Sequence, residues 1–326
     1  MVIEIESDLF FNEEFFDEID QLFDFFIKNR YNYYIDDEII FKSQWLLGAR
    51  KSKNEFLQKS FANSAYITTD DKLTISSKNE EKENRLTLKD GLIYLSNPIL
   101  VFIENSYYDS KCYKGIFSKF ESAEKLLFFN TNRWLEYRNC GGKDGVKNQI
   151  NLELKRYRKE TLDNHKYLRA IIILDSDKRF PSDDDNYYED FINYFELKGI
   201  KIHILEKREI ENYLPLIIFE RETNVSDDAI TALKELDENQ LDYYDYEKGF
   251  KINSRKKLLP LFENISDKNY EILKSGFDNK DFRTKREIPK LFLSNSITKE
   301  MLLDRCRHQN DPKELENIIE KINGLL

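Results

Sequence analysis

Cysteine is scarce and poorly placed for covalent chemistry. Cys112, Cys140 and Cys306 are odd in number and widely separated, which argues against a disulfide framework and a zinc knuckle. Each reads as a half-buried small apolar residue. Histidine is equally thin: His165 and His308 lack ligand-spaced companions, and His203 sits inside a strand pattern as an ordinary strand residue. Prolines and glycines are few, no internal repeat is evident, and no Walker motif occurs. No apolar run reaches membrane-spanning length, and the start has no cationic segment leading into an apolar one. The expectation is a soluble, cytoplasmic protein with no membrane partner.

What is present supports a real core. The chain of 326 residues is 40% hydrophobic and 34% charged, enough for one substantial domain plus additions. A formal net charge of -10 argues against non-specific coating of nucleic acid. It leaves a nuclease open, because catalytic carboxylates enter that count and binding uses local basic patches.

Residues 1–97 read as an N-terminal α+β extension. Phe15, Ile19, Leu22, Phe23 and Phe26 recur at helical spacing and predict an amphipathic helix. A second helix is expected over 41–49, with Trp45 and Leu46 inward. YITTDDKLTISS and RLTLKDGLIYL, separated by NEEKEN, alternate like the strands of a small hairpin.

From residue 98 to 220 strand and helix patterns alternate. PILVFIE, WLEYRNCGGKDG, YLRAIIILDSD and KIHILE supply four strands, with helices expected over 146–160 and 187–197 and a surface loop FPSDDDN between. Near-continuous apolar strands predict a mostly parallel four-stranded sheet flanked by helices. EIENYLPLIIFE is expected to form a helix kinked near Pro215. Residues 221–326 read as a helical accessory region, in which Ser296 or Thr298 caps a helix and ELENIIEKINGLL carries an apolar stripe.

Ligands of such sheets sit outside the carboxyl ends of the strands. That rule gathers Glu104, the Gly141-Gly142 turn with Lys143, the pair Asp175 and Asp177, and Glu206, Glu209 and Glu211 on one rim. Two carboxylates two residues apart repel unless a cation or basic group intervenes. If strand geometry persists through Asp177, both point to one face. With Glu104 on the neighbouring strand they suit Mg²⁺, which takes a few carboxylate oxygens, waters and substrate phosphate. Asp109 is either a further acid of this group or the opening residue of a helix. Lys143, Lys207 and Arg208 are candidate phosphate contacts.

The order Glu104, glycine turn, Asp175-x-Asp177 and REIENYL resembles a Toprim domain. It is most similar to the Toprim-like nucleases of the overcoming-lysogenization-defect (OLD) group and to the related DUF4435 defence proteins. The resemblance implies Mg²⁺- or Mn²⁺-dependent cleavage of phosphodiesters in DNA or RNA, often in antiphage defence. It implies Glu104, Asp175, Asp177 and Glu211 as metal ligands, with Asp109 as the next acid; in the mechanism expected here Lys143, Lys207 or Arg208 neutralises charge developing on the phosphate. Asn105 stands where the family carries glycine, and Asp109 is displaced by one position. With no Walker motif, energy sensing falls to a separate ATPase or sensor protein. The aromatic-rich first helix is a candidate homo-oligomer interface. The alternative is a non-catalytic Toprim-like protein that binds nucleic acid or a partner as a regulator. Primase chemistry is disfavoured by the missing zinc motif, and topoisomerase chemistry by the lack of an evident DNA-gating domain.

Overall fold

The computed structural model describes residues 1–35, 40–48, 53–57, 72–78, 84–157, 164–183, 187–250, 260–278 and 282–326. Parts of several expected elements lie outside these: residue 49 of the second helix, 66–71 of the first hairpin strand, 79–83 of its connection, 158–160 of a helix and 184–186 of the acidic loop. The chain is α/β, with two four-stranded parallel sheets flanked by helices. It divides into two compact units.

The first unit comprises Met1–Ile99, Tyr157–Arg169 and Gly324–Leu326. Its sheet runs β2-β1-β3-β4, from β1 (Val2–Ile5), β2 (Asn32–Tyr34), β3 (Lys72–Ser76) and β4 (Arg85–Thr87). Among the described residues the expected hairpin does not form. Alternation predicts a strand but not its partner, and β3 pairs in parallel with both β1 and β4. Most of the presumed second hairpin strand is instead a helix, α3 (Leu88–Ser96), started by Thr87, whose hydroxyl accepts from the Asp90 N–H at 3.2 Å.

The expected first helix is α1 (Phe16–Ile27), and it buries Ile19, Leu22, Phe23 and Phe26. The next is α2 (Gln44–Gly48), with Trp45 and Leu46 inward. Trp45 lies 4.7 Å from the Phe23 ring and 5.4 Å from Phe10, so aromatic packing centres this small core. The buried Arg169 guanidinium donates to the Tyr31 hydroxyl and to the Leu325 carbonyl, which fastens the last residues to this unit.

The second unit comprises Leu100–Arg156 and Ala170–Asn323. Its sheet, in order β6-β5-β7-β8, uses β5 (Ile99–Ile103), β6 (Leu135–Asn139), β7 (Ala170–Leu174) and β8 (Lys201–Ile204). Every residue of β5 and β7 is buried, as expected of central strands covered on both faces. Leu100 pairs with Ala170 and Leu174 with Ile204, both in parallel. The chain leaves β5 for β6 on one side and then returns past it to β7 on the other. The carboxyl ends of β5 and β7 therefore form the switch point of the sheet, where loops diverge and open a crevice.

The helices between these strands are α4 (Asp109–Phe117), α5 (Glu124–Thr131), α6 (Lys143–Lys155) and α7 (Tyr187–Glu196). The segment at Pro215 is not one kinked helix. A 3-10 turn over Ile210–Tyr213 gives way to α8 (Leu216–Glu222), with Pro215 as its cap. Further helices belonging to this unit are α9 (Asp227–Lys234), α10 (Glu238–Tyr243), α11 (Asp267–Leu273), α12 (Thr284–Leu291), α13 (Lys299–Cys306) and α14 (Glu314–Asn323). Thr298, not Ser296, caps α13 by accepting from the Met301 N–H at 3.3 Å. The three cysteines are free and buried rather than half-buried. Among the described residues, no helix is long and apolar enough to cross a membrane.

Candidate active site

The carboxyl end of β5 is held by backbone contacts to the glycine turn. Cys140 N–H donates to the Ile103 carbonyl at 3.0 Å and Gly141 N–H to the Glu104 carbonyl at 3.1 Å. Gly141 and Gly142 take φ of +63° and +92°, values that a side chain makes costly. The chain thus reverses at once into α6, and Lys143 is its first residue. After Glu104 the backbone forms a tight turn in which Asn105 N–H donates to the Asp109 carboxylate at 2.8 Å. Asp109 is therefore both the start of α4 and a neighbour of Glu104.

The end of β7 is stitched to the segment after β8. Ile210 N–H donates to the Asp175 carboxylate at 3.0 Å, Ser176 hydroxyl donates to the Lys207 carbonyl at 2.7 Å, and Asp177 N–H donates to the Arg208 carbonyl at 3.0 Å. The Tyr188 hydroxyl donates to the Asp175 carbonyl at 2.8 Å. These contacts bring Glu209 and Glu211 beside Asp175. A close approach adds one basic group from far along the chain. A Cβ on Gly115 would lie 2.3 Å from the Phe292 carbonyl, so only glycine lets the chain just after α12 press against α4. Lys285, on α12, thereby enters the field of the acids.

Glu104, Asp109, Asp175, Glu209 and Glu211 are partly withdrawn from water and repel one another. Burial first, then Asp177, pushes the Glu104 carboxyl up to about 7. Burial first, then the Glu104 charge, against the opposing Asn105 hydrogen bond, pushes Asp109 up to about 7. Burial and the Asp109 charge raise Glu211 to about 7, and burial and the Glu211 charge raise Glu209 to about 8. Asp175, at the centre, is raised well above the carboxylate range by burial and then by Glu211, Glu104 and Asp109. Glu104 Oε1 is buried and has no hydrogen-bond partner. Such a field favours either protonation or a cation.

The other predicted residues fall differently. β7 ends at Leu174 and Asp177 has φ +54°. Strand alternation therefore does not carry through to Asp177, as the same-face expectation required. Asp177 is 52% exposed and its carboxylate lies 3.1 Å from Lys143 Nζ; Lys143 also sits 4.1 Å over the Tyr188 ring. Lys207 does not face the rim. Its side chain has no exposure, and Nζ lies 2.5 Å from the Asp242 carboxylate and 2.7 Å from the Arg305 carbonyl it donates to. The Lys207 backbone faces the Asp175 loop while its side chain turns inward, so it cannot serve as a phosphate contact in this conformation. Arg208 pairs with Asp245 at 3.2 Å and Glu209 at 3.4 Å.

Glu206 also departs from the group, accepting from the Asn310 and Asp311 N–H groups at 3.0 and 2.8 Å. His203 is more than an ordinary strand residue: it is 2.9 Å from the fully buried Glu314, which the Tyr213 hydroxyl also contacts. His308 pairs with the Asp242 carboxylate at 2.7 Å.

The chemistry of the donor set, hard oxygens with excess negative charge and one orphaned carboxylate oxygen, fits a divalent cation. Its arrangement is open: among the described residues, no three His, Cys, Asp or Glu side chains are grouped so as to hold a metal ion. Compared with protein-family models, characterised proteins and solved structures, the chain has no match.

Proposed function

We propose that the second unit is a Toprim-like, Mg²⁺- or Mn²⁺-dependent endonuclease that hydrolyses phosphodiester bonds of DNA or RNA. The observation that supports it most is the gathering of Glu104, Asp109, Asp175, Glu209 and Glu211 at the switch point of the sheet. Glu104, Asp109, Asp175, Asp177 and Glu211 would hold the cation. A bound cation would neutralise charge on the phosphate and make an attacking water more acidic. Glu104 is the acid positioned either to share that cation or to receive the water's proton. Lys143, released from Asp177, would meet the phosphate's negative charge. Asp175, anchored by the Ile210 N–H, would keep a fixed orientation during turnover.

In this proposal the protein acts in the cytoplasm in antiphage defence, alongside a separate ATPase or sensor protein. The test is cleavage of single- and double-stranded DNA and RNA with Mg²⁺ or Mn²⁺, comparing the wild type with the double variant D175A/D177A. Cleavage by the wild type alone supports the reading, and equal cleavage by both sinks it. The open arrangement of the acids favours a second reading, a non-catalytic Toprim-like regulator. That reading expects no Mn²⁺ binding, and partner or nucleic-acid binding that survives D175A/D177A.

A further inference from the structure

The loop that joins Glu104 to Asp109 carries an unusual pair of aromatics. Tyr107 is 67% exposed, although a tyrosine ring gains by burial. Its backbone is held: Asn105 Oδ1 accepts from the Tyr107 N–H at 3.1 Å and the Tyr108 N–H at 3.3 Å, while the Asp109 carboxylate accepts from the Asn105 N–H. The Tyr108 ring meets Tyr107 edge-on, with centroids 4.8 Å apart and planes at 82°. Lys111 Nζ sits 4.2 Å from the Tyr107 centroid and 5.6 Å from that of Tyr108.

The ring is thus supported on one side by a cation and by a perpendicular neighbour, and most of its remaining surface faces solvent. Tyr107 lies three residues after Glu104 and two before Asp109. A chain spans at most about 3.6 Å per residue, so the Tyr107 backbone lies within roughly 11 Å of that of Glu104, in the loop that leaves the same strand end. An exposed aromatic face on a held backbone, backed by a lysine, is what an unpaired nucleobase stacks on. Paired bases keep their faces inside the duplex and cannot use it.

We infer that Tyr107 is a stacking platform for an unpaired base, and that the substrate of the acidic site is single-stranded nucleic acid, DNA or RNA. The inference rests on the nuclease reading of that site and narrows it. Stacking would seat the base while the adjoining phosphate faces the acids and Lys143. Lys111 adds positive charge beside the strand and, through the ring, strengthens the stack.

The test uses the full chain with Ca²⁺ as the divalent ion. Fluorescence anisotropy of labelled oligothymidylate, oligouridylate and a short DNA duplex is measured for wild type, Tyr107→Ala and Tyr107→Phe, each first checked for folding by circular dichroism. Tyr107→Ala should weaken binding of the single strands by about 5- to 100-fold. Tyr107→Phe, which keeps the ring, should stay within about twofold of wild type, and duplex binding should not change. The two single-stranded arms tell DNA from RNA. Unchanged single-strand binding by Tyr107→Ala, or an equal loss on the duplex, overturns the inference. If the wild type then still cleaves nucleic acid with Mg²⁺ in a manner lost in D175A/D177A, the stacking platform alone fails. If the wild type neither binds nor cleaves any of the three, the nuclease reading falls with it.

Discussion

Replacing Glu104 by Gln removes one ionisable group from the acidic cluster with little change of shape. Without a divalent cation the wild-type carboxyl is held up to about 7 by burial and by the Asp177 charge. An acid whose folded value is raised binds its proton more tightly folded than unfolded. Its favourable contribution is complete below the unfolded value near 4.5, falls as pH rises, and is gone above about 7. That interval corresponds to about 3 kcal/mol. In chelator at pH 8, Glu104→Gln should therefore be more stable than wild type by about 2–3 kcal/mol, and at pH 4.5 the gap should nearly close. For a unit of this size the gap is roughly 5–10 °C in midpoint. Thermal unfolding of both proteins between pH 4.5 and pH 8, in chelator, reads it directly. Any cost of burying an amide enters at every pH and cancels in the comparison. A difference between the proteins that does not change with pH would refute the reasoning, because repulsion at Glu104 would then be absent.

Asp242 neutralises two buried or nearly buried cations, Lys207 at 2.5 Å and Arg305 at 2.7 Å. Asp242→Ala should destabilise by about 3–5 kcal/mol in urea unfolding, and the pair Asp242→Leu with Lys207→Met should recover part of the loss. A Cβ on Gly145 would stand 1.7 Å from the Cys140 carbonyl. Gly145→Ala should therefore displace the start of α6, cost roughly 1–3 kcal/mol and weaken Mn²⁺ binding, measured by thermal unfolding and by titration.

The sheet of the second unit was legible because its central strands are uninterrupted apolar runs ending in acids. ILVFI and AIIIL are each five residues, all buried, and stop one residue before Glu104 and Asp175. The Gly141-Gly142 turn was legible for a related reason, since adjacent glycines suit two successive positive φ angles. The first unit was harder. Alternation in KLTIS predicts a strand but cannot distinguish an antiparallel neighbour from the parallel β1, four residues at the start of the chain that carried no distinctive pattern.

At the site, Lys207 departs from expectation by turning inward to Asp242, while Glu209 stays with the acids. Both lie in an irregular segment between β8 and the Ile210–Tyr213 turn, where no periodicity assigns a side chain to a face. Glu209, expected on the rim, pairs with Arg208 at 3.4 Å and also faces the other acids. Lys285 had no readable signal, because only the close contact at Gly115 brings α12 to the rim. The buried Glu314 beside His203 was hidden in an apparently ordinary amphipathic helix. Its partners His203 and Tyr213 lie 111 and 101 residues away in sequence, so nothing local announces its burial.

Manganese titration is the most direct test of the claim that these acids form a cation site. Isothermal calorimetry near pH 6.5, in two buffers of different ionisation enthalpy, measures both binding and the protons released. Wild type should bind Mn²⁺ and release protons, since Glu104, Asp109 and Glu211 hold theirs up to about 7, and the double variant Glu104→Gln with Asp175→Asn should bind far more weakly. Absence of Mn²⁺ binding by the wild type, or equal binding by the double variant, would contradict it.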